Sequence, residues 1–163
     1  MKPRSTFPPL PAAPIMKIFI GSDHNGYHLK SKIKDLLVHN GHEVIDMGDK
    51  SLDPKDDFPV FASKVVTAML SSDENEPMGI LVCGSGQGMA MAANRFKGIR
   101  ASVVWDQIEA KLSRNDDDSN VLCLPARVIS EHNALDIVDT WLKTPFSGAT
   151  RFVRRNSELD QLG

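Results

Sequence analysis

The stretch Gly79-Ile-Leu-Val-Cys83, followed at once by Gly84-Ser-Gly-Gln-Gly88, decides the architecture of this 163-residue chain. An apolar run without a polar break predicts a strand covered on both faces, the pattern of an inner strand in a parallel sheet. A glycine-rich turn directly behind it leads into a helix, expected to run to about Arg95. Strand, turn and helix together form a βα unit, and the rest of the chain can be read as repeats of it.

Upstream, Met16-Lys-Ile-Phe-Ile20 predicts a first strand ending in Gly21-Ser-Asp-His-Asn-Gly26. Leu29, Ile33, Leu36 and Leu37 then fall on one helical face, and Gly41 stops that helix. A second strand, His42 to Asp46, passes through the polar segment Asp49 to Asp57 into a helix from Pro59 to about Leu70, with Phe61, Val65, Ala68 and Met69 inward. Downstream lie a strand over Arg100–Val104, a helix from about Asp106 to Leu112, a strand over Asn120–Leu124 and a helix from Glu131 to Leu142. The alternation predicts an α/β fold: a Rossmann-like three-layer sandwich on a five-stranded parallel sheet, one domain over residues 16–145. Residues 1–15 carry Pro8, Pro9, Pro11 and Pro14, which forbid a continuous helix, and read as a disordered extension. Residues 146–163 read as a basic C-terminal tail, packing on a partner subunit.

Composition narrows the function. A formal net charge of -2 provides no basic field for nucleic acid or anionic lipid, so anion recognition must be local and a small metabolite is the expected ligand. Two cysteines, each inside an apolar run, point to reduced thiols and a cytoplasmic protein. No apolar run is long enough to span a membrane. The chain has no Cys-x-x-Cys, and no pair among His28, His39, His42 and His132 has His-x-x-x-His spacing on one helix with an acid, so no metal is expected.

In an open parallel sheet, ligands collect beyond the carboxyl ends of the strands. Three polar clusters are assigned there: Asp23-His24, Cys83 to Gly88, and the acidic loop around Asp116 to Asn120. In the second, glycines let N–H groups converge on an anion ahead of a helix, although a tight turn alone would need the same glycines. Met89 falls where a dinucleotide fingerprint needs its third glycine, and no Gly-Lys-Ser/Thr ends the loop, which excludes a P-loop. Cys83, at a strand end before a helix, is placed to act as a thiolate base or is a buried core cysteine. Cys123 reads as core. His24 is the one histidine with an acidic neighbour in such a loop; His28, His39, His42 and His132 read as surface residues. Arg127, Arg151, Arg154 and Arg155 supply fixed charge, and Arg151 and Arg155 share a face if the tail is helical.

From Met16 to about Arg155 these segments resemble the RpiB/LacAB family of sugar-phosphate isomerases, and within it most closely the type B ribose-5-phosphate isomerases. The resemblance rests on Met16–His24, Gly79–Ala90, Ala92–Ala101, Leu112-Ser-Arg114, Ser119–Leu122 and Ala126-Arg-Val128. It implies an aldose–ketose isomerase without metal or organic cofactor, acting on ribose 5-phosphate and ribulose 5-phosphate as a homodimer or a tetramer built from it. By the same resemblance Cys83 is the base that forms a cis-enediolate, and Ser85 assists it. The loop Gly84, Gly86, Gln87 and Gly88 holds the oxyanion, and Asp23 binds substrate hydroxyls. His24 and Arg127 hold the phosphate, and Arg151 and Arg155 reach it from across the dimer. One departure stands out. Where the family usually carries a ring-opening His-Asn pair, this chain has Asp116 and Asp117, which would have to serve as catalytic and substrate-binding groups or else form an ordinary acidic turn. Two rivals therefore remain beside the main reading: isomerisation of a four-carbon sugar phosphate, which needs no ring opening, and a sugar-phosphate-binding protein without catalysis.

Overall fold

The computed structural model describes residues 11–163; the first ten, and with them most of the proline-rich extension, lie outside the described residues. Five strands form a single parallel sheet: β1 (Lys17–Ser22), β2 (Glu43–Asp46), β3 (Met78–Cys83), β4 (Ala101–Val103) and β5 (Val121–Pro125). Their order across the sheet is β2-β1-β3-β5-β4, so the α/β fold class expected from the sequence is the one observed. Among the described residues there are six helices, α1 (Tyr27–His39), α2 (Phe58–Leu70), α3 (Gln87–Ala93), α4 (Gln107–Asn115), α5 (Glu131–Lys143) and α6 (Thr150–Asp160), of which the first five pack about the sheet.

The unbroken apolar runs follow from burial on both faces. Ile18, Ile20, Ile80, Val82, Leu122 and Leu124 point to one side, where Ile33 and Leu37 of α1 and Ile137, Val138 and Trp141 of α5 meet them. Phe19, Leu81, Cys83, Val121 and Cys123 point to the other, against Phe61, Val65 and Met69 of α2 and Met89 and Ala93 of α3. Each large side chain fully buried in this way contributes about 1.5–3 kcal/mol. Trp141 also keeps its indole N–H satisfied: Nε1 donates to Ser119 Oγ at 2.9 Å, which donates to Ser113 Oγ, which in turn donates to the Ala110 carbonyl.

Local chemistry sets the helix ends. Asp106 and Ser130 accept the N–H groups of Glu109 and Asn133, caps worth about 1 kcal/mol each. α4 runs a turn beyond Leu112. α3 stops at Ala93 instead of near Arg95, because the Asn94 side chain bonds both the N–H and the carbonyl of Ala101 and draws the chain toward β4. Read as a surface residue, His42 is in fact buried at 7% exposure, where Nδ1 accepts the Met16 N–H at 3.2 Å and closes the start of β1 over the end of α1. Of the extension, Pro11 to Ile15 has no regular structure, and Ala13 packs against the core.

Candidate active site

The chain leaves β1 for β2 on one side and returns to β3 on the other, which opens a crevice at the carboxyl ends of β1 and β3, the position where ligands bind in such sheets. The two loops there are pressed together. The Asp23 N–H donates to the Val82 carbonyl at 3.3 Å, and a Cβ on Gly26 would stand 2.4 Å from that same oxygen, so glycine is the residue that fits. Asp23 itself is buried. Its carboxylate accepts the Asn25 and Gly26 N–H groups at 3.0 and 3.2 Å, building the single 3-10 turn His24–Gly26. Burial pushes the Asp23 carboxyl above its ordinary value, with the Gly26 N–H opposing.

Cys83 ends β3 beside Pro125 of β5, and the Gly86 N–H donates to its Sγ at 3.2 Å. Gly86 has φ +74°, the left-handed region that lets this N–H turn back onto the sulfur. The exposed hydroxyl of Ser85 accepts the Gln87 N–H at 3.3 Å, and Phe58 lies over Gly88, where a Cβ would meet its ring at 2.7 Å. The opening N–H groups of α3 have no intrahelical partner, so loop and helix start together present donors next to the thiol. Cys123, two residues below on the same face, is sealed in the core, and burial pushes its thiol far up. The core reading holds for Cys123.

Two residues given no role from sequence complete this cluster. His24 donates from Nδ1 to Asp56 Oδ1 at 2.6 Å and from its backbone N–H to the same oxygen at 3.0 Å. Arg127, whose N–H bonds the Gly84 carbonyl, donates from Nη2 to Asn25 Oδ1 at 2.7 Å and so ties β5 to the loop after β1. Asp56 arrives from the polar segment between β2 and α2. That segment is anchored by Ser22, which exchanges hydrogen bonds with Gly48 and Asp49, and by the buried Lys30, which donates to Asp46 and to the Asp49 carbonyl. Asn25 stood inside the quoted loop, whereas Asp56 looked like one more acid among Asp49, Asp53 and Asp57; its contact is made across 32 positions and leaves no local signal. Ligating atoms of Asp23, His24 and Asp56 lie within 4.8 Å of one another, with the imidazole Nδ1 bonded to Asp56 Oδ1 and Asp23 Oδ1 accepting two backbone N–H groups.

The remaining candidates lie elsewhere. The acidic loop, assigned above to the carboxyl ends, precedes β5 and so sits at the opposite edge of the sheet: the Asn120 carbonyl accepts the N–H of Gly79, at the start of β3. Asp116 is half-buried with Oδ1 accepting from Asn115, and Asp117 is exposed. Partial desolvation, then the neighbouring Asp116 carboxylate, push the Asp117 carboxyl up. α6 lies at the same edge, with Asn156 donating to the Asp116 carbonyl and Asp160 paired with Arg100. Arg151 and Arg155 are both exposed on it, four residues apart. Among the described residues nothing buries any residue of α6, and Val153 and Leu159 stay about half exposed.

The family profile described as Ribose/Galactose Isomerase matches residues 18–159. The chain belongs to this family. Among ribose/galactose isomerase relatives, it is 43% identical to the ribose-5-phosphate isomerase B of Escherichia coli over 81% of this chain and 87% of that protein. It is also 43% identical to a probable ribose-5-phosphate isomerase B of Mycoplasma pneumoniae, over 80% and 85%. A Thermotoga maritima ribose 5-phosphate isomerase structure superposes with a TM-score of 0.84 at 44% identity, covering 90% of this chain and 98% of that one. The Mycoplasma genitalium enzyme, solved with bound ribulose-5-phosphate, gives 0.84 at 39% identity over 90% and 95%. In this ribose/galactose isomerase, then, one chain brings together Asp23, His24, Cys83, Gly84, Ser85, Gly86, Gln87, Gly88 and Arg127, and holds Asp116, Asp117, Arg151 and Arg155 at its far edge.

Proposed function

We propose that this protein interconverts ribose 5-phosphate and ribulose 5-phosphate, with Cys83 as the base. The observation that carries the reading is the thiol at the end of the central strand, met by the Gly86 N–H and surrounded by the donors of a glycine loop. A proton beside a carbonyl is removable only where the oxyanion that develops is stabilised, and preorganised N–H groups supply that stabilisation. Cys83 takes the C2 proton of the aldose; the cis-enediolate oxygens are held by the loop and by Ser85; the proton returns to C1, leaving the ketose. Asp23 orients the hydroxyls, and His24 with Arg127 holds the phosphate.

The working unit in this reading is a homodimer. Arg151 and Arg155 lie at the sheet edge away from Cys83, so within one chain they cannot meet the phosphate, while a second copy can present them to it. An unburied α6 and the exposed Trp105, Ile108 and Leu112 supply apolar surface for that contact. Asp116 comes to the partner's crevice with α6. The two free thiols fit a reaction carried out in the cytosol.

Formation of ribulose 5-phosphate from ribose 5-phosphate by the wild type tests the reading, with solvent deuterium entering C1 of ribulose 5-phosphate as a second readout. No turnover and no exchange from folded protein would overturn it. Asp116 and Asp117 favour a second reading, a four-carbon sugar phosphate that is never cyclic. A kcat/KM for erythrose 4-phosphate well above that for ribose 5-phosphate would select it.

A further inference from the structure

We propose that Asp56 is a positioning residue of this site, holding His24 as a fixed imidazolium that faces the substrate's phosphate. The inference rests on the function proposed above and adds a residue to it. Both N–H groups of His24 that can reach Asp56, the ring Nδ1–H and the backbone N–H, end on one oxygen, Oδ1, at 2.6 and 3.0 Å. Two bonds to one atom fix the ring's position and its tautomer together, leaving Nε2–H as the free donor. The Asp56 side chain is only 6% exposed, and its other oxygen, Oδ2, is buried with no partner among the described residues. His24 is its one ion-pair partner there. A buried carboxylate with an idle oxygen is costly, and a purely structural acid would use both.

The charges around the imidazole point the same way. From the β2–α2 loop, Asp56 raises the His24 pKa through its hydrogen bond, and Asp23 on the adjoining turn adds to this; desolvation and then Arg127, facing from the end of β5, oppose them. The balance is upward from the ordinary value of about 6.5. Asp56 therefore favours the charged form of His24 beside Arg127, where a lone imidazole next to a guanidinium would be pushed toward the neutral form. With the ring protonated, a phosphate dianion meets two cations and not one.

The test uses the full-length protein and the variants Asp56→Asn, Asp56→Glu and His24→Gln. NMR titration of the His24 ring in the substrate-free wild type should give a midpoint above 6.5, lowered in Asp56→Asn and partly recovered in Asp56→Glu. Asp56→Asn should raise KM for ribose 5-phosphate about tenfold at pH 8 and less than about threefold at pH 5.5, with kcat changed less, since at low pH the imidazole protonates without help. In the His24→Gln background the same change should add little. Inorganic phosphate separates this proposal from the proposed reaction, because its binding needs no turnover. Binding weakened about tenfold at pH 8 in Asp56→Asn supports the pair even if ribose 5-phosphate is not a substrate, and unchanged binding overturns the pair even if it is. A KM loss equal at both pH values overturns it too. If Asp56→Asn does not fold, the wild-type titration decides alone: a midpoint at or below 6.5 ends the proposal.

Discussion

The Gly86 N–H points at Cys83 Sγ from 3.2 Å, so the sulfur at the end of β3 meets a donor from the next turn of its own chain. Replacing the sulfur removes the proposed base and leaves the donors. Cys83→Ala should lower kcat by about 10³-fold, within the range for losing a positioned acid–base group, while inorganic phosphate binds as before. Retained turnover in that variant would remove Cys83 from the chemistry.

Gly26 and Val82 make the tightest contact between the two loops of the site. Gly26→Ala places a carbon 2.4 Å from a backbone oxygen that no rotamer can move aside. The expected cost is about 3 kcal/mol, or roughly 6–12 °C in Tm for a chain of this size. Gly148→Ala is the comparison. With φ +68° and nothing within 4 Å, it bears only backbone strain, about 1 kcal/mol. Equal shifts for the two variants would show that the Gly26 approach is not tight in solution.

His42 makes stability depend on pH. Nδ1 accepts the Met16 N–H, so a proton there breaks the bond, and burial holds the His42 pKa below its ordinary value. The unfolded chain binds that proton more readily, so stability rises with pH: the contribution is present above about 6.5 and lost as pH falls toward the folded value. Urea midpoints of His42→Gln measured from pH 7.5 to 5 should fall less than those of the wild type. Parallel curves would contradict the assignment.

Sequence reading went furthest where burial is two-sided. β3 and β5 announce themselves because every side chain along them is apolar, and the glycine loop because Gly86 needs a positive φ. Three features were not legible. The placing of β5 between β3 and β4 is a pairing between distant segments, whereas the edge of the Asp116 loop was open to reading, since that loop precedes a parallel strand. The helical tail lacked a clear signal because its apolar residues face nothing in their own chain. Asp56 and Asn25 act through side-chain contacts across 32 and 102 positions, which no local pattern encodes.

If each site draws Cys83 from one subunit and Arg151 and Arg155 from the other, two dead proteins can make a live one. Mixing Cys83→Ala with the double variant Arg151→Ala/Arg155→Ala, then letting subunits exchange, should restore about one quarter of wild-type activity: half the dimers are mixed and one of their two sites is intact. No recovery after verified exchange would place all three residues in one subunit's site, and an arginine double variant that is active by itself would remove the arginines from it.

α6 has consequences for how the protein melts. Eleven residues are too few to stay helical in water unaided, and within its own chain this helix buries no residue and is tethered by the Arg100–Asp160 pair and the Asn156 side chain. Its order is borrowed from whatever surface it lies on. When that surface is another copy, unfolding turns one dimer into two separate chains, and the denaturation temperature climbs with each dilution step undone. The same protein would then be robust in a concentrated extract and fragile in a nanomolar assay, and its measured half-life would say as much about the tube as about the chain.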